Sequence, residues 1–379
     1  MTVLRPTRVV INLAALRHNV RLLRKRIGPS VKLYAVCKGD AYGCGAVAVA
    51  RVCEEEGADA IAVGDPDDAV AVRAAGIRLP MLAYGVTDPL LAGEMAKLGV
   101  IVTIFDHDGL AAYGRIGAEI YAFLELDCGF GRLGFTPADI DAVASELLRM
   151  PSVRLRGLYT HLAAVDDPAA VAGQMTRFAD MAVALRSRGL NPPERMVASS
   201  RVIAAYPHLD LNAVNPGRAL YGLLEGRYAD ELRVRPVIRS VESRIIQVKD
   251  LEPGMRMGYG GADPRPGSPI RAAVVPIGFA GGFPRNFRDG TILVRSRRAP
   301  IIGMMSMEHT LIDVTDIAGT RVGDEAVLLG RQGSAEITPG DLATMTGLEI
   351  LEILPRLARG LPRAYVDVGS DGPRSASGS

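Results

Sequence analysis

The stretch LYAVCK at residues 33–38 is the first of eight short apolar runs that each end in polar or glycine residues. The others are AIAVGD (60–65), PMLAYG (80–85), VIVTIFD (100–106), IYAFLELD (120–127), LRGLYTH (155–161), MVASS (196–200) and LNAVNPG (211–217). Continuous apolar runs of this length predict strands that are buried on both faces. Helix-like segments such as AVAVARVCEEEG separate them, so the pattern predicts an α/β fold with a (β/α)8 TIM-type barrel. The first run is not followed by G-x-G-x-x-G, which argues against an open doubly wound sheet.

The chain changes character after about residue 230, where β-rich runs follow one another without long helices between them. We predict a barrel over residues 8–228 and a mostly antiparallel β domain over 229–370, with residues 1–7 as a candidate addition to the β domain. The segment DLATMTGLEILEILPRLARG (341–360) is predicted to form one helix. The polar, glycine-rich end at 371–379 is predicted to be a disordered tail.

Composition excludes several classes of function. The chain has 379 residues with 48% hydrophobic and 23% charged residues, an ordinary globular mixture, and its net charge of +2 gives no indication of nucleic-acid or membrane partners. The four cysteines form no C-x-x-C pair or metal-ligand spacing. Unpaired cysteines without a secretory leader are what we expect of a cytoplasmic protein.

Polar residues at the ends of the runs are candidates for chemistry, because the active site of such a barrel lies at the C-terminal ends of its strands. Lys38 closes the first run, where desolvation would lower its pKa and make it a Schiff-base nucleophile; a lysine that merely reaches water at the rim is the alternative. Arg132 lies in a glycine-rich loop after the fifth run and could hold a carboxylate. His161 ends the sixth run, as an acid–base group or as a structural histidine.

The last two runs end in Ser199, Ser200 and the segment NPGR (215–218). The loops after strands seven and eight are the usual phosphate site of these barrels, and hydroxyls and glycine amides there can bind a phosphate. A lysine, a phosphate site and an arginine at one barrel mouth suggest a phosphate-bearing carbonyl cofactor that handles amino acids.

Six segments in order along the chain resemble the motifs of the alanine racemase family, whose members are fold-type III enzymes dependent on pyridoxal 5′-phosphate (PLP). The resemblance runs from about residue 8 to residue 366. The segments are AVCKGDAYGCG (35–45), CGFGRLGF (128–135), YTHLA (159–163), NPGRALYG (215–222), VPIGFAGGFPR (275–285) and GMMSMEHTLIDVT (303–315).

The resemblance implies a role for each matching residue near the cofactor. Lys38 would carry PLP as a Schiff base and act as one base at the substrate Cα. Tyr42, Ser200 and the backbone amides of Gly217 and Arg218 would bind the cofactor phosphate.

The resemblance also implies how a substrate is held. Arg132 and the backbone of Met307 would bind the carboxylate of a small-molecule amino acid, and Phe279 and His309 would line the same pocket. The family works as a homodimer whose active sites combine one barrel with the β domain of the partner subunit.

Two departures from the family concern the chemistry directly. The tyrosine that serves the family as second Cα base is Phe279 here. Phenylalanine cannot transfer a proton, and loss of a positioned general acid–base typically costs roughly 10²–10⁴ in rate. The arginine that the family places against the pyridine nitrogen is Asn215, which can offer either an amide N–H or a carbonyl oxygen. Smaller changes, which together suggest a remodelled pocket, are Glu125, Glu308, Cys44 and Gly281.

These departures leave three hypotheses. Phe279 with Lys38 retained favours altered one-base chemistry at Cα: aldol-type, decarboxylation or stereospecific proton transfer. The alternative is an amino-acid racemase with a substitute base, for which His309 and His161 are the candidates and Tyr259 a less favoured one. The third is a non-catalytic PLP carrier, against which the retained β domain and Arg132 count.

Overall fold

The structure is a computed structural model that describes residues 5–85, 91–285 and 290–369. The chain divides into two compact units. One comprises Leu16–Ala41 and Gly45–Arg235, and the other comprises Met1–Ala15, Tyr42–Cys44 and Pro236–Ser379. The tail predicted at 371–379 lies outside the described residues.

The first of these two units contains a closed barrel, which confirms the predicted fold class. After strand β1 (Arg8–Asn12), the described part of the chain supplies eight parallel strands in sequence order, and the last pairs with the first through Lys32 opposite Ala213. Each strand falls on one of the eight predicted runs. They are β2 (Lys32–Val36), β3 (Ala60–Val63), β4 (Met81–Ala83), β5 (Val100–Ile104), β6 (Ile120–Glu125), β7 (Val153–Tyr159), β8 (Glu194–Ala198) and β9 (Ala213–Val214).

Helices connect the barrel strands, and several begin where the sequence supplies a cap. Asp65 and Asp167 each accept hydrogen bonds from backbone amides of the first turn, and each is followed by a proline at the first helical position. The helices of this region are Leu13–Ile27, Ala46–Glu55, Pro66–Ala74, Ala92–Lys97, His107–Gly114, Ile140–Leu148, Pro168–Ser187, Ser200–Ala205 and Arg227–Leu232. Among the described residues, no helix has the length and apolar character that crossing a membrane requires.

A buried carboxylate joins three strands at the end of the barrel where the strands begin. The Glu194 carboxylate accepts hydrogen bonds from Lys32 Nζ at 2.7 Å, Tyr34 Oη at 2.5 Å and Arg156 Nε at 2.9 Å. Its side chain is 4% exposed, so both oxygens depend on these partners. In TIM barrels this end contributes to stability, whereas the opposite end carries the chemistry.

Replacing Glu194 by alanine is therefore expected to lower the free energy of unfolding by about 3 kcal/mol, because it leaves a buried hydroxyl and two cations without their acceptor. Urea denaturation followed by circular dichroism measures the change. Glu194→Gln is the matched control, since it keeps an acceptor for Tyr34 and should lose less. An alanine variant as stable as the parent would contradict this role.

The second unit is built from two sheets. The larger has the order β14-β13-β16-β10-β1-β18 with β17 added to β16, and its pairings are antiparallel except for β1 with β18; the smaller has the order β11-β12-β15. The strands are β10 (Ile238–Arg244), β11 (Gln247–Leu251), β12 (Ile270–Val275), β13 (Thr291–Val294), β14 (Arg297–Pro300), β15 (Thr310–Asp313), β16 (Glu325–Gln332), β17 (Ala335–Ile337) and β18 (Arg363–Val366). This mostly antiparallel part confirms the second half of the predicted fold class.

Two features of this unit differ from the predicted boundaries. Residues 8–15, which the sequence analysis assigned to the barrel, belong here because β1 pairs with β10 through Val9 opposite Val241. The single helix predicted at 341–360 is two helices, Pro339–Thr346 and Ile350–Gly360. The prediction of one helix was wrong because Gly347 adopts a left-handed conformation (φ 68°), which ends the first helix.

Candidate active site

A left-handed turn directly follows Lys38. Gly39, Asp40, Ala41 and Tyr42 all have positive φ, between 54° and 64°. For residues other than glycine this conformation costs about 1–2 kcal/mol each, and such strain persists where the surrounding structure holds it at a functional site. The turn is anchored by Asp40, whose carboxylate accepts a hydrogen bond from the Ala46 amide at 2.8 Å.

Lys38 stands at the barrel mouth in a state that suits a nucleophile. Its side chain is exposed to solvent, although neighbouring protein atoms partly desolvate the ammonium group. This desolvation, and then the positive charges of Arg132 and Arg218, lower the pKa of Lys38. The neutral amine that can attack a carbonyl carbon is therefore favoured relative to an ordinary lysine.

Arg132 is presented by a loop that wraps around one carboxylate. Asp127 Oδ1 accepts hydrogen bonds from the amides of Gly129, Phe130 and Gly131 at 2.8–3.1 Å. The Arg132 guanidinium carbon then lies 4.5 Å from the centre of the Phe130 ring. A guanidinium packed on an aromatic ring is held in place by the cation–π attraction, and its N–H groups can bind a carboxylate.

His161 lies at the same barrel mouth and also contacts Phe130. The His161 and Phe130 rings meet edge to face with their centres 4.9 Å apart. Burial, followed by the charges of Arg132 and Lys38, lowers the pKa of His161 to about 4. The imidazole is therefore neutral at physiological pH and can accept a proton without first losing one.

A buried carboxylate, Glu125, ends strand β6. It is 5% exposed and accepts a hydrogen bond from Tyr159 Oη at 2.7 Å. Burial raises the pKa of Glu125, while the Tyr159 hydrogen bond and the charge of Arg132 oppose that rise. The carboxylate thus lies within electrostatic reach of Arg132.

Asn215, which follows β9, is held by Tyr84 from the end of β4. Asn215 Nδ2 donates a hydrogen bond to Tyr84 Oη at 2.9 Å, and the Tyr84 ring packs edge to face on Tyr159 with centres 5.7 Å apart. Asn215 Oδ1 is buried and has no hydrogen-bond partner. A buried acceptor without a partner costs about 1–3 kcal/mol, so this oxygen marks a place for a donor that is not part of the chain.

The loops after β8 and β9 meet through Ser200. Its Oγ accepts hydrogen bonds from the amides of Gly217 at 2.9 Å and Ala219 at 3.0 Å. The structure therefore joins Ser200 and Gly217, which were both predicted as phosphate ligands, and it shows that the Gly217 amide already has an acceptor in Ser200.

The candidate residues of the C-terminal unit, Phe279, Met307 and His309, lie close to one another in a cluster. The Phe279 amide donates to Ser306 O at 3.1 Å, and the Ser306 amide donates to His309 O at 3.0 Å. Gly278 allows this approach, because a Cβ at that position would lie 2.1 Å from Ser306 O. Met307 is 60% exposed, and the side chain of His309 is exposed as well.

The Arg285 side chain lies near the rings of both Tyr259 and Phe279 in this cluster. The guanidinium carbon of Arg285 lies 5.8 Å from the centre of each ring. Tyr259 also lines a cavity of about 230 Å³ together with Gly260, Ala262, Gly303 and Met304. A tyrosine hydroxyl is thus available in the neighbourhood of the phenylalanine that lacks one.

Comparison with known families covers both parts of the chain. Residues 11–225 match the family model described as alanine racemase, N-terminal domain, and residues 238–365 match that described as alanine racemase, C-terminal domain. This chain belongs to the alanine racemase family. Similar proteins include an alanine racemase of Sorangium cellulosum, 37% identical over 96% of this chain and 99% of its own length. Another is alanine racemase 2 of Caldanaerobacter subterraneus, 33% identical over 96% of this chain and 95% of its own length.

Solved structures agree with the family assignment. The alanine racemase of Bacillus anthracis with bound L-Ala-P superposes with a TM-score of 0.91 at 27% identity, covering 97% of this chain and 96% of the other. The alanine racemase of Streptomyces coelicolor superposes with a TM-score of 0.84 at 32% identity, covering 96% and 98%. The similarity therefore includes the barrel and the two sheets.

The alanine racemase family uses PLP, and the barrel mouth suits that group. It offers an amine of lowered pKa, the Ser200 hydroxyl beside the Gly217 amide at the usual phosphate position, and a buried oxygen without a partner. An aldehyde, a phosphate and a ring nitrogen are three of the polar groups of PLP, which also carries a ring hydroxyl.

Most of these residues were predicted from the sequence, but some were not. Lys38, Arg132 and His161 lie together in the barrel unit, whereas Tyr42 is grouped with the C-terminal unit and its phosphate contact stays a prediction. Tyr84 and Phe130 were missed as contributors to the site. Tyr84 ends one of the eight runs, so the strand-end rule that selected Lys38 would have selected it too.

Proposed function

We propose that this protein is a PLP-dependent amino-acid racemase and that alanine is its substrate. The observation that carries the proposal is that both alanine racemase domain models match this chain and together cover nearly all of it. Similar proteins that match along nearly the whole chain are alanine racemases. The alternative of altered one-base chemistry rests on Phe279 alone, and the comparisons favour the racemase.

The cofactor would be held by residues of several loops. Lys38 would bind its carbonyl carbon, Ser200 with the amides of Gly217 and Arg218 would bind its phosphate together with Tyr42, and Asn215 would contact the ring nitrogen. Bound PLP withdraws electrons from the substrate Cα and so makes the Cα proton removable.

The substrate would be oriented by its carboxylate. Arg132, packed on Phe130, would bind the carboxylate through two N–H groups, and the backbone of Met307 from the partner subunit would complete the contact. Phe279 and His309 of the same partner β domain line the pocket. We therefore propose a homodimer with shared active sites, for which light scattering of the purified protein is the direct test.

Racemisation needs a proton removed from one face of Cα and another delivered to the opposite face. Lys38 Nζ serves one face. For the other we favour His161 over His309, because His161 is neutral and lies within electrostatic reach of Lys38 and Arg132 at the barrel mouth, whereas His309 has an exposed side chain in the other unit.

Proton NMR of the PLP-loaded protein with L-alanine in D₂O, followed by chiral analysis, tests the proposed function. Deuterium at Cα with both enantiomers present is the expected result. Deuterium with retained handedness, or loss of carboxylate, would establish one-base chemistry instead. Bound PLP without any exchange at Cα would establish a carrier.

The variant Phe279→Tyr provides a second experiment that distinguishes racemisation from one-base chemistry. If another group already supplies the second proton, the added hydroxyl should change the rate of racemisation by less than about tenfold, since one positioned acid–base group is already worth roughly 10²–10⁴. Coupled assays in both directions measure the rate, with Phe283→Tyr as the control for adding a hydroxyl nearby. Racemisation that appears only in the Phe279 variant would contradict the proposal.

A further inference from the structure

We infer that Tyr84 and Asn215 together hold the ring nitrogen of the cofactor in its protonated form, with Asn215 Oδ1 as the acceptor. This inference rests on the proposed function, since it takes PLP to be bound at the barrel mouth. It goes further by assigning the hydrogen-bond direction at the ring and by giving Tyr84 a part as a positioning residue.

The direction of the hydrogen bond to the ring nitrogen follows from the partners of the Asn215 amide. The Asn215 amide has two polar atoms, and Nδ2 is partnered: one of its two N–H groups donates to Tyr84 Oη at 2.9 Å. The remaining atom, Oδ1, is buried without a partner. An acceptor can bind a ring nitrogen only if that nitrogen carries a proton.

Contacts within the barrel hold the Tyr84 side chain in place, and Tyr84 in turn sets the orientation of the Asn215 amide. Its ring meets Tyr159 edge to face at 5.7 Å and 71°, and Tyr159 is 4% exposed and bonded to Glu125 at 2.7 Å. The chain of contacts from β6 through β7 and β4 thus reaches Asn215. It ends in an oxygen that can only accept a hydrogen bond, whereas the arginine implied by the family resemblance would donate one.

Arg218 is the competing donor, because it lies three residues beyond Asn215 and its charge acts on Lys38. If the Arg218 guanidinium bound the ring nitrogen, that nitrogen would be unprotonated. The two arrangements predict opposite protonation states for the same atom, so they can be distinguished without measuring activity.

The experiment is ¹⁵N NMR of the holoenzyme loaded with PLP that carries ¹⁵N at the ring position. N-methylated PLP and alkaline free PLP provide the reference shifts for a positively charged and an unprotonated ring.

We expect the wild-type signal at neutral pH near the positively charged reference. Asn215→Asp, which keeps an acceptor of nearly the same shape, should leave it there, and Asn215→Arg should move it to the unprotonated reference. Tyr84→Phe should shift it part of the way, since the amide then loses its fixed orientation.

The outcomes separate this inference from the proposed function. A wild-type signal at the unprotonated reference would overturn the inference, and its return to the protonated position in Arg218→Leu would identify Arg218 as the donor. A protein that shows no absorbance band of lysine-bound PLP would overturn both. A bound cofactor with an unprotonated ring would overturn the inference alone.

Discussion

Lys38→Ala is expected to abolish racemisation, lowering the rate by about 10⁴-fold or more, because one side chain supplies both the group that holds the cofactor and one of the two proton carriers. The structure gives the physical reason for choosing this lysine. Crowding by protein atoms and the charges of Arg132 and Arg218 favour its neutral amine. The absorbance band of lysine-bound PLP should disappear together with the activity, and a spectrophotometer and a coupled assay measure the two effects.

Lys38→Arg is the matched control for this substitution, since arginine keeps a long cationic side chain that cannot form the Schiff base. It should lose as much activity as Lys38→Ala while its near-ultraviolet circular dichroism stays that of the parent. If the absorbance band of bound cofactor persists in both variants, another residue carries the cofactor and the assignment to Lys38 is wrong.

The barrel could be predicted because its strands are encoded by local composition. Each of the eight runs is buried on both faces, so strand positions such as Ala60–Val63 and Val100–Ile104 are apolar without interruption. Strand β1 could not be assigned in this way. Its partner Glu242 is more than 200 residues from Arg8, and the pairing of distant strands leaves no local signal in the sequence.

The strained turn after Lys38 was equally hidden from the sequence. Three consecutive residues other than glycine, Asp40, Ala41 and Tyr42, adopt the left-handed conformation, which their side chains disfavour. Local propensity therefore predicts against this geometry. Only the surrounding structure, including the bond from the Ala46 amide to Asp40, can impose it.

The chemistry of Asn215 shows why residue identity alone was insufficient. From the sequence, the asparagine could present a donor or an acceptor to the cofactor, and both alternatives stayed open. The choice depends on Tyr84, which lies 131 residues earlier in the chain and engages the amide nitrogen. A position along the sequence thus identified the residue, and a tertiary contact sets the orientation of its amide.

His161→Phe is expected to lower racemisation by roughly 10²–10⁴-fold while Lys38 still exchanges the Cα proton of one enantiomer, because only the proton carrier of the opposite face is removed. Phenylalanine preserves the edge-to-face contact with Phe130, so the Arg132 loop should keep its shape. Deuterium incorporation measured separately from L- and D-alanine, alongside chiral analysis, distinguishes the loss of one proton transfer from the loss of both.

The pH dependence provides an independent test of the same residue. Because the pKa of His161 is lowered to about 4 by burial and by Arg132 and Lys38, its imidazole should stay in the accepting form as the pH falls from neutral, and should protonate only near pH 4. An ordinary histidine, with a pKa near 6.5, would begin to lose its accepting form two pH units earlier. His309→Phe is the matched control, and its racemisation rate should stay within about tenfold of the parent's. If His309→Phe loses racemisation and His161→Phe keeps it, the second proton carrier comes from the C-terminal β domain and the assignment to the barrel histidine fails.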